Sequence, residues 1–259
     1  MDIQPDLTLC IAYSGKPENL KGLLNSIRTA ADPVSCETIV VHGSNDQRPP
    51  DALLSAFPEV LFYEEPDVPP IQKLNRALEL ASARYLSLWA DSVSLEAETL
   101  SRLLSFLDDH PEVGLAAPLV RDSAGNALDN ARPLPGFFSA LAGHASYGGL
   151  LPLIGEACRT SGSQEPMQAA WLSRRALVFR REVLDDLGPM DSGFFLLYAD
   201  ADYCRRAAAL GWRLYLLPSA TCQDAAPEWL HPESPGLDQP PRYRGDLARF
   251  LCRKWLASR

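Results

Sequence analysis

The chain has 259 residues and a formal net charge of -9, with 46% hydrophobic and 22% charged residues. This length supports a substantial core, and the composition excludes a disordered or fibrous chain. The acidic balance disfavours non-specific binding to nucleic acid, so we expect no nucleic-acid partner. No apolar run reaches the roughly 18 residues of a membrane span, and residues 1–6 lack a signal-peptide pattern. We therefore expect a cytoplasmic protein.

The first half of the sequence alternates strand and helix patterns. Short apolar runs at 7–13, 38–42, 60–63, 85–90 and 113–120 predict buried strands. Strands separated by helices pair in parallel through right-handed crossovers. The sequence therefore predicts an α/β fold with a Rossmann-like, mostly parallel central sheet flanked by helices. The predicted helices have apolar faces formed by Leu20, Leu23, Leu24 and Ile27, by Ile71, Leu74, Leu78 and Ala81, and by Leu100, Leu103, Leu104 and Leu107.

The second half is less regular. Residues 121–166 are rich in Gly, Pro and Asn and predict a long irregular segment, which is typical of functional loops. Four regular patterns then follow: a strand over 171–179, a helix over 181–187, a helix over 200–210 and a strand over 212–217 that Pro218 ends.

The C-terminal part joins a connector to a predicted helix. Residues 225–241 are rich in Pro and Gly, and the stretch that follows is basic. Such a helix either closes the fold with a solvated basic face or contacts an anionic membrane surface beside a lipid-linked substrate. The second alternative places the protein peripherally at the inner face of the membrane. The apolar residues at helical spacing are Leu247, Phe250, Leu251 and Trp255.

Carboxylates at the ends of predicted elements are the best site candidates, because the common nucleotide-loop, hydrolase and zinc-protease motifs are absent from the sequence. Asp91 follows a buried strand at the edge where open sheets bind ligands, and a cation there would bridge it to phosphates. Asp200 and Asp202 open a helix and, being two residues apart, point to different sides. Taken alone, each acid could instead be a turn residue or complement a helix dipole.

Six motifs follow one another in a fixed order: Leu-Trp-Ala-Asp-Ser at 88–92, Trp-Leu-Ser at 171–173, Phe-Arg-Arg-Glu at 179–182, Met-Asp at 190–191, Phe-Phe-Leu-Leu-Tyr-Ala-Asp-Ala-Asp-Tyr-Cys-Arg at 194–205 and Gly-Trp at 211–212. Together they resemble the family-2 inverting glycosyltransferases, and in particular the bacterial rhamnosyltransferase-like subgroup. The resemblance implies the GT-A fold in a single domain over 1–259. It has a nucleotide-binding half at about 6–120, an acceptor half at about 165–224 and a C-terminal connector and helix at 225–259.

The resemblance also implies roles for individual residues. Asp200 matches the catalytic base, Asp91 the metal-binding acid, and Asp224 a position that often holds a metal-binding histidine. The implied cofactor is Mg²⁺ or Mn²⁺, the donor a nucleoside-diphosphate sugar, and the acceptor a glycan or a lipid-linked hydroxyl of cell-surface polysaccharide synthesis. The implied nucleotide and donor contacts are Ala12, Tyr13, Ser14, His42, Asp91, Arg174 and Arg175, and the implied acceptor contacts are Trp171, Ser173 and Asp202.

The sequence departs from the family pattern where the family has acids or small residues. Arginines beside a cleft favour an anionic group and could partly replace a metal in neutralising a diphosphate. Asp224 could still bind Mg²⁺ or Mn²⁺. The departures are His42 for an aspartate, Trp89 or Ala90 for the first acid of the D-x-D-type motif, Ala199 for the first acid of the Glu-Asp pair, and Arg174-Arg175 for Gly-Ala.

These departures leave two interpretations. The chain is an active transferase with an altered nucleotide pocket, or it is a catalytically impaired domain of the same fold that binds a ligand or partner. A nucleotidyltransferase is a third alternative, but Ser14-Gly15-Lys16 is too short for the Gly-rich basic loop that this class usually carries after its first strand.

Overall fold

The computed structural model describes residues 4–30, 33–44, 48–66, 68–128, 130–132, 164–196, 198–225, 245–246, 248–250 and 252–253. Most of the predicted irregular segment at 121–166 and nearly all of the 225–241 connector therefore lie outside the described residues. So do three of the four apolar residues predicted for the C-terminal helix, namely Leu247, Leu251 and Trp255.

The described residues form eleven strands and six helices with defined bounds, and residues 245–246, 248–250 and 252–253 are helical as well. The strands are β1 (Leu7–Ala12), β2 (Cys36–His42), β3 (Leu61–Glu64), β4 (Tyr85–Trp89), β5 (Val93–Leu95), β6 (Val113–Arg121), β7 (Ala131–Arg132), β8 (Met167–Gln168), β9 (Trp171–Leu172), β10 (Ala176–Arg180) and β11 (Arg213–Asp224). The helices are α1 (Pro17–Ala30), α2 (Asp51–Ala56), α3 (Pro70–Leu80), α4 (Thr99–Asp109), α5 (Arg181–Leu187) and α6 (Ala199–Ala209). None of these helices is both long enough and apolar enough to cross a bilayer.

The central sheet runs in the order β3-β2-β1-β4-β10-β6-β11-β5, and β8 also pairs with β11. Strands β3, β2, β1 and β4 are parallel, which confirms the prediction for the first half of the chain. The second half is mixed, because β10 runs antiparallel to both β4 and β6 whereas β11 is parallel to β6. The carboxyl end of β4 therefore meets the amino end of β10, with Trp89 opposite Ala176.

The core lies on both faces of this sheet because alternate residues of each strand point to opposite sides. Leu9 and Ile11 belong to a cluster that includes the buried face of α1, while Cys10 between them belongs to a second cluster with α3. Cys10 and Cys204 are buried free thiols, and burial raises the pKa of both.

Two predictions for the second half need correction. Strand β11 does not stop at Pro218 but continues to Asp224. Its register with β6 shifts between Leu217 and Thr221, so Pro218 lies in an irregularity where its missing N–H costs no ladder hydrogen bond. The strand predicted over 171–179 is interrupted at 173–175, because β9 pairs with β7 in a separate two-stranded sheet.

Candidate functional site

A pocket lies at the edge of the central sheet where β1 and β4 end and β10 begins. Parallel strands present their carboxyl ends at one edge, and ligands of open α/β sheets bind there. Seven of the residues predicted for the nucleotide, donor or metal site line this pocket: Ala12, Tyr13, Ser14, Asp91, Arg174, Arg175 and Asp224. The pairing of β1 with β4 and of β4 with β10 explains why residues so distant in sequence converge.

The first wall of the pocket is built around Asp91. This residue is 5% exposed, and its Oδ2 accepts hydrogen bonds from the Ser14 backbone N–H at 2.8 Å and from the Ser14 hydroxyl at 2.7 Å. Burial raises the pKa of Asp91, and the negative charge of Asp224 adds to that increase. The Ser14 hydrogen bonds and the Lys16 ammonium oppose the increase without cancelling it. Asp91 is therefore an acid whose charge is costly to hold in this pocket.

Tyr13 lines the same wall between the ends of β1 and β2. Its backbone N–H donates to the Val41 carbonyl at 2.9 Å, which continues the pairing of the two strands. Burial raises the pKa of Tyr13, and the charge of Asp91 raises it further. His42 ends β2 nearby but is not among the pocket-lining residues. Its Nδ1 lies 2.8 Å from the Gly43 carbonyl, so Nδ1 carries the proton, because a carbonyl oxygen can only accept.

The opposite wall carries two arginines and an acid. Arg174 and Arg175 belong to the turn before β10, and Asp224 is the last residue of β11. The Arg175 Nε lies 3.1 Å from the Asp224 Oδ2, and their side chains are only 5% and 2% exposed. A guanidinium and a carboxylate buried to this extent stabilise each other's charged forms, so that removing either partner leaves the other uncompensated.

Asp200, the predicted base, lies behind this wall. It is buried at the start of α6, where its Oδ2 accepts the backbone N–H of Arg174 at 3.1 Å and its Oδ1 accepts that of Ala201 at 2.9 Å. It does not itself line the pocket, but it holds the turn that does. Trp171 and Ser173 lie in the same turn region and also stay outside the pocket lining.

Asp202 does not take the acceptor-facing position predicted for it. Its side chain is fully buried and pairs with Arg205 at 2.9 Å, with Arg206 at 3.0 Å and with Arg253 at 3.4 Å. The half-turn of helix between Asp200 and Asp202 thus directs one acid towards the pocket turn and the other into the scaffold.

The C-terminal segment contributes contacts that the sequence does not predict. The buried carboxylate of Asp246 accepts the backbone N–H of Phe195 at 2.7 Å and that of Leu196 at 2.9 Å, and Leu196 lines the pocket. Phe250 is fully buried and stacks on Tyr198 with 5.4 Å between ring centres. No sequence signal points to Asp246, because its partners are backbone groups some 50 residues away.

The basic residues described in this segment are also engaged internally. Arg249 binds both carboxylate oxygens of Asp191, at 2.7 and 2.8 Å, and Arg253 bridges Asp191 and Asp202. The side chains of Arg249 and Arg253 are 41% and 38% exposed, so this basic face is partly solvated, while their charges pair with Asp191 and Asp202.

The predicted divalent-cation site is poorly supported by the side chains present. Within the described ranges, no group of three or more His, Cys, Asp or Glu residues could hold a metal. Asp91 and Asp224 are the two carboxylates of the pocket lining, and Asp224 is already paired with Arg175. The residues of this pocket therefore do not fit a resident cation as they are arranged.

Comparisons with known proteins confirm the GT-A fold and go no further. No protein-family model matches the sequence, and no curated protein matches it either. The crystal structure of GalNAc-T7 with UDP, GalNAc and Mn²⁺ has a TM-score of 0.64 at 12% identity, over 87% of this chain and 44% of that one. The mannosyltransferase PcManGT from Pyrobaculum calidifontis, in complex with GDP-Man and Mn²⁺, has a TM-score of 0.59 at 17% identity, over 89% of this chain and 59% of that one. The chain thus spans about half the length of these structures.

Proposed function

We propose that this protein is a glycosyltransferase that moves a sugar from a nucleoside-diphosphate donor to an acceptor hydroxyl with inversion. The observation that carries the proposal is the convergence of Tyr13, Ser14 and Asp91 with two arginines in one pocket at the ligand-binding edge of a GT-A sheet. Two solved structures of the same fold hold UDP or GDP-mannose, which supports a nucleotide-sugar donor for this chain as well.

The proposed chemistry needs two things from the protein. The acceptor hydroxyl must lose a proton to a base as it attacks the anomeric carbon, and the departing diphosphate must have its charge neutralised. Arg174 and Arg175 meet the second need, because a guanidinium matches phosphate oxygens in both charge and geometry. We derive no step through a metal ion, since the donor set of the pocket does not fit one.

Asp200 is the proposed base. Its carboxylate does not line the pocket, but it accepts a hydrogen bond from the backbone N–H of Arg174, a residue that does. A small displacement of that turn on binding of donor and acceptor would bring the carboxylate into contact with the hydroxyl, as catalytic contacts often tighten only in the complex. The acceptor is proposed to be a glycan or a lipid-linked hydroxyl, in the synthesis of a cell-surface polysaccharide or glycoconjugate.

The test is donor turnover, followed as release of nucleoside diphosphate from UDP-, GDP- and dTDP-sugars in the presence of glycan acceptors. We expect Asp200→Asn to lower kcat by about two to four orders of magnitude and barely to change donor affinity, because the base is lost while the remaining amide oxygen can still accept the Arg174 N–H. Asp185→Asn, an exposed change on α5, is the control and should behave as wild type.

Two outcomes would redirect the proposal. Wild-type turnover in Asp200→Asn would remove this residue from the mechanism. A protein that binds a nucleoside diphosphate but turns over none of the donors would be the catalytically impaired binding domain, which keeps the fold and the pocket without the reaction.

A further inference from the structure

We propose that Arg175 takes the place of a divalent cation in this pocket, so that the donor diphosphate binds without metal. The inference rests on the proposed function, because it names the group that neutralises the donor. It starts from a disagreement: the two solved structures of this fold contain Mn²⁺, whereas the residues of this pocket do not fit such an ion.

The position of Arg175 is fixed by the fold. Its carbonyl oxygen accepts the Ala90 backbone N–H at 2.9 Å, directly before Asp91, and β10 continues from it alongside β4. Its side chain is 5% exposed and is held on Asp224 at 3.1 Å. The guanidinium is therefore a buried charge held on Asp224, in the lining of the same pocket as Asp91.

The charges that line the pocket balance without a metal. Two carboxylates, Asp91 and Asp224, face two guanidinium groups, Arg174 and Arg175. A site for a divalent cation presents carboxylate oxygens whose charge the ion itself compensates. Here Arg175 supplies the compensating charge for Asp224, the position at which the family resemblance implies a second metal ligand.

A cation and Arg175 would compete for Asp224. An ion held by Asp91 and Asp224 together would have to displace the guanidinium from its carboxylate, which leaves a buried positive charge beside a divalent one. A diphosphate meets no such obstacle, because its oxygens can share the guanidinium with Asp224, and arginine binds phosphate through several parallel N–H donors.

The experiment is calorimetry of UDP, GDP and dTDP binding to the wild-type protein, in EDTA and in Mn²⁺. We expect at least one of these nucleotides to bind in EDTA with a Kd within about threefold of its Kd in Mn²⁺. Binding that occurs only with Mn²⁺ would overturn the inference while leaving the proposed function intact. Failure of all three nucleotides in both conditions would overturn the proposed function, and the inference with it.

Arg175→Gln sharpens the test. In EDTA it should weaken nucleotide binding at least about tenfold, the usual loss for a charged hydrogen-bond partner. Mn²⁺ should restore that binding in the variant alone, because the guanidinium no longer competes with the ion for Asp224. Arg213→Gln is the control, since it removes the same charge from the exposed beginning of β11, where the side chain is 55% exposed.

Unchanged binding of Arg175→Gln in EDTA would overturn the inference. A circular dichroism melt establishes whether this variant folds. If it does not, the wild-type comparison between EDTA and Mn²⁺ decides the question, because that comparison needs no substitution.

Discussion

On the β1–β4 side of the pocket, Asp91 is buried, and the hydrogen bonds of Ser14 and the charge of Lys16 compensate its own charge only in part. On the side built by the second half of the chain, the acids Asp191, Asp202 and Asp224 all have arginine partners within 3.4 Å. The difference lies in how much of each charge is neutralised. The paired acids have a guanidinium at hand, whereas Asp91 has a raised pKa, a perturbation that is concentrated at ligand sites.

The largest expected effect comes from breaking the buried pair of the second wall. Arg175→Met leaves Asp224 buried without its partner and should lower the free energy of unfolding by about 3–5 kcal/mol. The double variant Arg175→Met/Asp224→Leu should recover most of that loss, because no buried charge remains. Urea denaturation measures the free energy of unfolding of both variants. A loss of less than about 1 kcal/mol in Arg175→Met would indicate that the pair behaves like a solvent-exposed salt bridge.

A smaller loss is expected at Asp202. Asp202→Asn removes the charge that three arginines share, but those arginines are 18–38% exposed and can turn towards water. The free energy of unfolding should therefore fall by about 2 kcal/mol, within the range for hydrogen bonds to charged groups. Donor affinity should stay at the wild-type value, since Asp202 does not line the pocket, and a weakened affinity would contradict its placement in the scaffold.

The smallest effect, and the only gain, is expected at Asp91. Because the pKa of Asp91 is raised in the folded protein, its ionised form disfavours folding, and that penalty is complete above the folded pKa. Asp91→Asn should therefore raise Tm at neutral pH. The gain should shrink as pH falls through the folded pKa, since wild-type Asp91 then becomes neutral as well. A Tm difference that does not vary with pH would contradict this prediction.

Asp122→Asn is the matched control with the opposite sign. Asp122 is an exposed acid whose pKa is lowered, chiefly by hydrogen bonds from Asn126. Its ionised form favours folding, so the substitution should lower Tm at neutral pH. That loss should disappear as pH falls through the lowered folded pKa of wild-type Asp122. The pH series of Tm for the two variants should thus diverge in opposite directions as pH rises.

The first wall was predictable because its elements are local. Buried parallel strands are near-continuous apolar runs, and the residue after each run must lie at the ligand edge of the sheet. This reasoning predicts Asp91 at that edge, the family resemblance adds Tyr13 and Ser14, and all three line the pocket. The acids of the second half were also noticed, but local spacing could not say which of Asp200 and Asp202 faces the pocket turn.

The elements that escaped prediction are short or depend on distant partners. The helix α2 has six residues and the strands β7 and β8 have two each, too few for a periodic pattern to emerge. Strand β11 continues beyond Pro218 because a register shift leaves this residue out of the hydrogen-bonded pairing. That shift depends on the pairing with β6, which the local sequence does not reveal. The role of Asp246 depends on backbone groups that its own surroundings in the sequence do not reveal.

The sequence by itself determined the alternation of strands and helices, and with it the α/β fold and the edge at which a ligand should bind, because hydrophobic periodicity is encoded residue by residue. Only the tertiary structure decided how the acids are compensated: Asp224 by Arg175, Asp202 by three arginines, and Asp91 by Ser14. Whether a charge is compensated depends on the distance to its partner and on the burial of both groups. The antiparallel position of β10 beside β4 fixes both for the Arg175–Asp224 pair.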